Sequence, residues 1–373
     1  MDFFATCLPG LEPLLVDEMA AAGLGRKPPQ PGGVAFSGDR SALYRANLEL
    51  GLATSVLVRI GKFEATALPE LERKTAELNW SKWIDPRRPR KVKANCRGSR
   101  LYHSGAVEQR VDKGIAAALG PQRGSGGADA EPQIIRVRVR DDEILISFDS
   151  SGDPLYRRGW RLDVGKAPLR PDLARALVLC SGWDRKSPLL DPFCGSGTIA
   201  IEAALLARRR PPGALRSFGF QNTPLHDEDL FKKVRETALG RALNADDVVI
   251  HASDRDAGAV KRTRENAQRA DVDGGVIVTE AAVAAAPYLC GTPVPPERGV
   301  VVTNPPFGRR VGSWEQLRPL YQTLGHRVSK LPMDWRIAFL AADRRLGHAT
   351  GLKVSSAFVA DHGGMTINAL TGR

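Results

Sequence analysis

The stretch Asp191-Pro192-Phe193-Cys194-Gly195-Ser196-Gly197-Thr198 limits the possible folds more than any other part of the chain. It stands between apolar Pro188-Leu189-Leu190 and an apolar run over 199–207. A strand that meets a glycine-rich turn at a helix N-terminus is the ligand cradle of a doubly wound α/β sheet. The glycines permit positive φ and let a ligand approach bare backbone. Gly195, Gly197 and Ala200 also satisfy the spacing G-x-G-x-x-A. In a chain with 37 glycines that spacing describes an ordinary tight turn equally well.

Asn304-Pro305-Pro306-Phe307 narrows the choice, because it follows a second apolar run, Val300-Val301-Val302-Thr303. The tetrad is therefore expected at the carboxyl end of a parallel strand, where open α/β sheets bind ligands. Its chemistry suits a planar base with an exocyclic amine. The Asn304 carboxamide oxygen and the Pro305 carbonyl can both accept from an NH2 group. Pro305 and Pro306 stiffen the corner, and Phe307 offers a face for a base to stack on.

The tetrad resembles the fourth motif, Asn/Asp-Pro-Pro-Tyr/Phe, of S-adenosylmethionine-dependent amino-methyltransferases. The octapeptide from Asp191 resembles the first motif of their RNA guanine-N2 branch. The resemblance implies a Rossmann-like class I methyltransferase sheet with S-adenosylmethionine as cofactor. It places Asp191, Phe193, Gly195, Ser196, Gly197 and Thr198 along that cofactor, with Asn304 between cofactor and target amine. Adenosine-binding folds receive the ribose hydroxyls on an acid at the end of the second strand. Asp254 is the candidate, with Arg255 beside it and Asp256 as runner-up and helix N-cap. Asp254 lies farther from the glycines than the usual ~20 residues, because residues 211–245 read as an insertion. Glu280, after a third strand, is placed to accept from an adenine amine.

Strands are expected at 3–7, 34–36 and 54–60, with helices at 11–22 and 41–50 and a loop over 23–33, the pattern of a ferredoxin-like module. Residues 63–83 read as mostly helical, 91–96 as a strand and 104–119 as a helix. Val107, Val111, Ile115 and Leu119 give that helix a strict four-residue stripe. A loop over 120–132 leads to strands at 133–139 and 143–148. In the first, Ile135-Arg136-Val137-Arg138-Val139-Arg140 alternates with period two and sets arginines on one face.

The formal charge of +12 points to a polyanionic partner. Its location matters more than its size. Lys82, Arg87, Arg88, Arg90, Lys91, Lys93, Arg97, Arg100 and Arg110 face only Asp85 and Glu108 over that span. Residues 149–161, ending Arg157-Arg158-Gly159-Trp160-Arg161, resemble the close of a THUMP domain. The opening Phe3-Phe4-Ala5-Thr6-Cys7-Leu8-Pro9-Gly10-Leu11-Glu12 resembles the start of large-subunit ribosomal RNA guanine-N2 methyltransferases. Structured RNA, ribosomal RNA or tRNA, is the implied partner. The candidate contacts are Arg87, Arg88, Arg90, Lys91, Lys93, Arg97, Arg100, Arg136, Arg138, Arg157 and Arg158, with Arg309 and Arg310 beyond the tetrad. The division expected is 1–60 ferredoxin-like, 61–162 THUMP and 163–373 methyltransferase.

No run of about 18 apolar residues suggests a membrane span, and Met1-Asp2-Phe3-Phe4 lacks an export leader. The five cysteines, Cys7, Cys96, Cys180, Cys194 and Cys290, are scattered without metal spacing. A monomeric cytoplasmic enzyme without a metal is therefore expected. Cys194 reads as a packing residue, and His226 as structural or exposed. An adenine-N6 DNA methyltransferase or a protein glutamine-N5 methyltransferase would use the same tetrad. A NAD-dependent dehydrogenase would use only the glycines, and a non-catalytic RNA-binding protein would use neither motif.

Overall fold

The computed structural model describes residues 1–120, 131–161, 169–244, 247–307, 314–362 and 364–373. Its strands form two seven-stranded sheets. The first is built from β1 (Asp2–Thr6), β2 (Pro29–Gln30), β3 (Gly33–Ser37), β4 (Ser55–Glu64), β5 (Arg90–Arg97), β6 (Gln133–Arg140) and β7 (Glu143–Asp149), in the order β2-β3-β1-β4-β7-β6-β5. Helices α1 (Glu12–Ala21), α2 (Arg40–Glu49), α3 (Leu68–Ala76) and α4 (Ser104–Leu119) connect them. The expected helix over 104–119 is found end to end, and Val107, Val111 and Ile115 are buried. Leu119 is only partly covered.

Two expectations are corrected here. Residues 63–64 extend β4, because pairing with β7 continues to Glu64 opposite Glu143. The helix starts only at Leu68 and stops at Ala76. The expected loop over 23–33 includes β2, which pairs with β3. β4 also runs across the expected boundary at residue 60, so strands from both sides of it share one sheet.

Strand register sorts the side chains of this sheet into opposed faces. Phe3, Val58, Phe148 and Ile135 line up across four strands and are all buried. The adjacent row, on the other face, is Arg59, Ser147, Arg136 and Lys93. Farther along that face Asn95 pairs with Arg138 and Arg97 with Arg140. Lys91, Lys93, Arg97, Arg138 and Arg140 are exposed.

The second sheet follows α5 (Pro171–Cys180). It contains β8 (Leu189–Asp191), β9 (Ile250–Asp254), β10 (Val276–Glu280), β11 (Arg298–Thr303), β12 (Asp334–Ala341), β13 (Val354–His362) and β14 (Met365–Gly372). The order is β10-β9-β8-β11-β12-β14-β13, parallel except for β14, which is antiparallel to both neighbours. Helices α6 (Thr198–Ala207), α7 (Glu228–Leu239), α8 (Ala257–Arg269), α9 (Trp314–Val328) and α10 (Arg344–Ala349) complete the unit. Strand order reverses between β8 and β11, the switch point where doubly wound sheets open a crevice.

Residues of the 211–245 insertion join the sheets. Phe220 stacks on Tyr44 of α2 with ring centroids 4.7 Å apart, and Phe231 meets Tyr44 edge-on at 5.4 Å. The Tyr44 hydroxyl donates to the Leu225 carbonyl at 2.6 Å and accepts from the Asp227 N–H at 2.9 Å. The Arg216 guanidinium donates to the carbonyls of Ser151, Asp153, Pro154 and Arg157. Beside it lies a buried ion cluster. Arg158 Nε donates to Glu202 Oε1 at 2.9 Å, and its Nη atoms reach the carbonyls of Leu155 and Gly51. Arg175 pairs with Glu18 at 2.6 Å and with Glu202 at 3.5 Å.

Candidate active site at the carboxyl ends of the parallel strands

β8, β9 and β10 end in Asp191, Asp254 and Glu280, while β11 ends in Thr303 followed by Asn304. Register sets Glu280 beside Asp254. The loop after β8 is fixed by its own backbone: Cys194 N–H donates to the Ser253 carbonyl at 2.9 Å, and Gly197 N–H to the Cys194 carbonyl at 2.7 Å. Gly195 N–H donates to Asp254 Oδ2 at 3.0 Å. From α8, Thr263 Oγ1 donates to the Gly195 carbonyl and Asn266 Nδ2 to the Ser196 carbonyl.

The two glycines serve different ends. Both have positive φ, 55° at Gly195 and 83° at Gly197. A Cβ on Gly197 would stand 2.7 Å from Thr263 Cγ2, so this glycine lets the loop close onto α8. A Cβ on Gly195 would meet nothing within 4 Å. Gly195 thus borders open space, a bare-backbone wall against which a ligand can lie.

Among the described residues two buried acceptors at the ends of the strands beside this loop have no hydrogen-bond partner, Asp191 Oδ2 after β8 and Asn304 Oδ1 after β11. Asp191 is 1% exposed. Its Oδ1 accepts from Thr303 Oγ1 at 2.7 Å and from Phe193 N–H at 3.3 Å. Burial pushes its carboxyl up to about 7; the bonds from Thr303 and Phe193 oppose that rise, and the Asp254 charge adds a smaller push. Pro305 is buried beside Asn304, and Pro306 and Phe307 are half-buried. The Tyr321 hydroxyl of α9 donates to the Pro306 carbonyl at 3.4 Å and ties the corner to its support. Native folds leave few buried oxygens unsatisfied. A pair on the adjoining strands β8 and β11 suits a ligand that brings N–H donors.

The structure gathers the expected cofactor residues on this rim. Asp191, Phe193, Gly195, Ser196, Gly197 and Thr198 follow β8; Asp254, Arg255 and Glu280 end β9 and β10. Asp254 also braces the loop, and its Oδ1 accepts from Asp256 N–H at 3.0 Å. The helix cap expected at Asp256 is present, with its Oδ1 accepting from Gly258 N–H. Arg255 and Glu280 are exposed. Cys194 is buried, and burial pushes its thiol far up, as a packing residue requires. Arg309, Arg310 and linker residues 163–168 lie outside the described residues, as does the loop over 121–130.

The proposed RNA residues separate into groups. Lys91, Lys93, Arg97 and Arg138 are exposed on the open face of the first sheet. Arg136 shares that face and pairs with buried Asp149 at 3.0 Å. Arg87 grips Asp85, Arg157 grips Asp153, and Arg100 stands 4.0 Å from Asp142; Arg88 is half-buried. Arg90 and Arg158 are corrections. The Arg90 side chain is 3% exposed and bound to Asp112, and that of Arg158 is 1% exposed and bound to Glu202. Both guanidiniums are consumed inside the fold.

Sequence reasoning missed Arg59 and Arg161. Arg59 lies over the Phe4 ring at 4.6 Å and donates to Ser147 Oγ at 3.0 Å. Burial and the nearby Arg138 charge depress its pKa to about 10. Its signal was its outward position on a strand that continues past residue 60. Arg161 reaches the glycine loop, with Nη2 donating to Ser196 Oγ at 3.4 Å. Its signal was the closing arginine of the 157–161 motif.

Among the described residues no helix is long and apolar enough to cross a membrane, and no group of three or more His, Cys, Asp or Glu could hold a metal ion. Sheet order, glycine loop and proline corner together define a class I Rossmann-like methyltransferase. The chain belongs to the RMKL-like methyltransferase domain family, which matches residues 158–367. Residues 2–57 match the RlmL ferredoxin-like domain. It is 30% identical over 367 residues to the putative RNA methyltransferase slr0064 of Synechocystis sp., covering 97% of this chain and 94% of that protein. It is 31% identical to the ribosomal RNA large subunit methyltransferase K/L of Magnetococcus marinus, covering 94% of this chain but 50% of that protein. The chain therefore spans about half the length of the K/L relative. The crystal structure of SMU.472, a putative methyltransferase complexed with SAH, superposes with a TM-score of 0.89 at 25% identity, covering 100% of this chain and 97% of that one.

Proposed function

We propose that this protein transfers a methyl group from S-adenosylmethionine to the exocyclic N2 of a guanosine in structured RNA, with 23S ribosomal RNA as the substrate. The observation that carries the reading is Asn304 Oδ1, buried and unpartnered among the described residues at the end of β11, the parallel neighbour of the strand that leads into the glycine loop. The residues present fit the cofactor. Gly195 offers bare backbone for close approach, Asp254 and Glu280 offer carboxylates for hydroxyl and amine groups, and Asp191 Oδ2 offers an acceptor to an ammonium.

When bound, S-adenosylmethionine supplies an activated methyl on sulfur, so the protein's task is positioning rather than strong-base catalysis. Asn304 Oδ1 and the Pro305 carbonyl accept the two N–H bonds of the target amine. That leaves the nitrogen lone pair free to face the methyl group, and it favours the positive charge that develops on nitrogen. The excess proton then leaves to water. Phe307 stacks on the base, which offsets part of the few kcal/mol needed to turn a base out of a helix. The division of labour follows the chain: residues 1–60 form the ferredoxin-like platform, residues 61–162 grip RNA, and residues 163–373 transfer the methyl group.

The grip lies on the open sheet face, where Lys91, Lys93, Arg97 and Arg138 are free of acidic partners among the described residues. Changing these four to glutamine is expected to weaken RNA binding and flatten its salt dependence. The logarithmic slope should fall by roughly 0.7–0.9 for each phosphate that is no longer neutralised. Titration between about 50 and 200 mM salt measures this. An unchanged slope places the grip elsewhere.

Asp191 sets a pH dependence. Its folded pKa, about 7, lies above the ordinary 3.8. The unliganded protein therefore loses stability from this group as pH rises from ~4 to ~7. An ammonium ligand favours the ionised carboxylate, so the sign reverses for binding. Affinity for S-adenosylhomocysteine is expected to rise from pH ~6 to ~7.5, with proton release, and Asp191→Asn is expected to abolish the rise. Calorimetry in buffers of different ionisation heat reads both.

The test of the whole reading is methyl transfer from labelled cofactor to unmethylated 23S RNA, tRNA and duplex DNA, with nucleoside analysis of the product. N2-methylguanosine in 23S RNA supports it. Methylguanosine in tRNA alone moves the substrate, and N6-methyladenine in DNA overturns it.

A further inference from the structure

We infer that Arg161 holds the carboxylate at the amino-acid end of the methyl donor, opposite Asp191, which takes its ammonium. The inference rests on the S-adenosylmethionine reading above and assigns a residue that lies before the linker into the parallel sheet.

Arg161 is placed by the same helix that fixes the glycine loop. On α8, Arg269 Nε donates to the Trp160 carbonyl at 3.0 Å, and its Nη2 donates to Asn266 Oδ1 at 2.6 Å. Asn266 in turn holds the Ser196 carbonyl at 2.9 Å. A short chain of bonds therefore ties the position of Arg161 to that of the loop. Its guanidinium extends over that loop, donating to the Leu169 carbonyl at 2.7 Å and to Ser196 Oγ at 3.4 Å. Its Nε is buried with no partner among the described residues.

Every acceptor that Arg161 meets among the described residues is neutral. Arg59 and Arg216 also donate only to neutral oxygens, whereas Arg90 has Asp112, Arg158 has Glu202, and Arg175 has Glu18 and Glu202. What sets Arg161 apart from Arg59 and Arg216 is its buried Nε, unpartnered among the described residues, beside the glycine loop. A desolvated guanidinium without a counter-charge is costly, and burial alone pushes that of Arg161 down to about 10. The unmet demand is for an anion. Its place at Ser196, next to the open side of Gly195, sets that anion in the cofactor cradle, away from the sheet face proposed to grip RNA. A planar carboxylate fits the fork of guanidinium donors. Asp191 Oδ2, buried and unpartnered among the described residues at the end of β8, offers an acceptor for the ammonium carried on the same carbon as that carboxylate.

The experiment compares two ligands on the full chain by calorimetry: S-adenosylhomocysteine, and its analogue lacking only the carboxylate. The wild-type protein is expected to bind the analogue on the order of tenfold to a hundredfold more weakly, the range of a charged hydrogen-bonded pair. Arg161→Gln is expected to bind both ligands equally, at the level of wild type with the analogue, and Arg161→Lys to recover part of the difference. Equal wild-type affinity for the two ligands overturns the assignment without need of any variant. So does an Arg161→Gln protein that still prefers the carboxylate, or that loses RNA affinity while keeping its preference. Wild-type protein that binds neither ligand overturns the cofactor reading itself, a separate failure.

Discussion

Asn304→Ala is expected to lower the rate of methyl transfer by about a hundredfold to a thousandfold, the usual loss when a preorganised polar group facing developing charge is removed. The Asn304 oxygen is buried and has no partner among the described residues, so its removal breaks no bond to them and should cost the fold little. The corner itself survives, because Pro305 is buried and the Pro306 carbonyl is held by Tyr321. Affinity for S-adenosylhomocysteine should therefore stay within about threefold, well below the loss expected of a deleted charged hydrogen bond. The rate constant at saturating RNA and cofactor is the measurement. A variant that methylates at near wild-type rate would remove Asn304 from the chemistry and leave the tetrad as a strand terminator.

The second large effect concerns stability. Arg158→Met is expected to cost about 3–5 kcal/mol, because it leaves a buried carboxylate without its partner. Glu202 is fully buried, and its remaining cation, Arg175, stands 3.5 Å away and is shared with Glu18. The loss should be read from the urea midpoint, with RNA affinity followed at a concentration where the variant is folded. Arg158→Met combined with Glu202→Leu should recover much of the stability, since an apolar pair of similar volume carries no orphaned charge. A midpoint unmoved by the single change, with a weakened RNA complex instead, would return Arg158 to the RNA surface.

The elements legible in the sequence are those whose cause is local. The four-residue stripe of Val107, Val111 and Ile115 defines α4, and alternation over Ile135 to Val139 defines β6 and its charged face. The glycine loop and the proline corner were readable because their residue types are costly elsewhere. The tertiary fate of each charge was not readable. Arg90, Lys91 and Lys93 share one basic run, yet Arg90 turns inward to Asp112 while the two lysines face solvent. Arg158 meets a glutamate 44 positions away. Nothing in the neighbourhood of either arginine in the chain distinguishes it from an exposed one. The insertion at 211–245 was visible only as extra length, because its purpose depends on Tyr44, far upstream.

That purpose has a consequence for how a target is chosen. The packed rings of Tyr44, Phe220 and Phe231 and the cluster around Glu202 tie the basic sheet to the sheet that carries Asn304. On the function proposed above, jaws set at a fixed gap would work as a caliper, selecting a guanosine by how far it lies from the clamped helix, whatever bases intervene. One base pair inserted between them would carry the correct nucleotide out of reach.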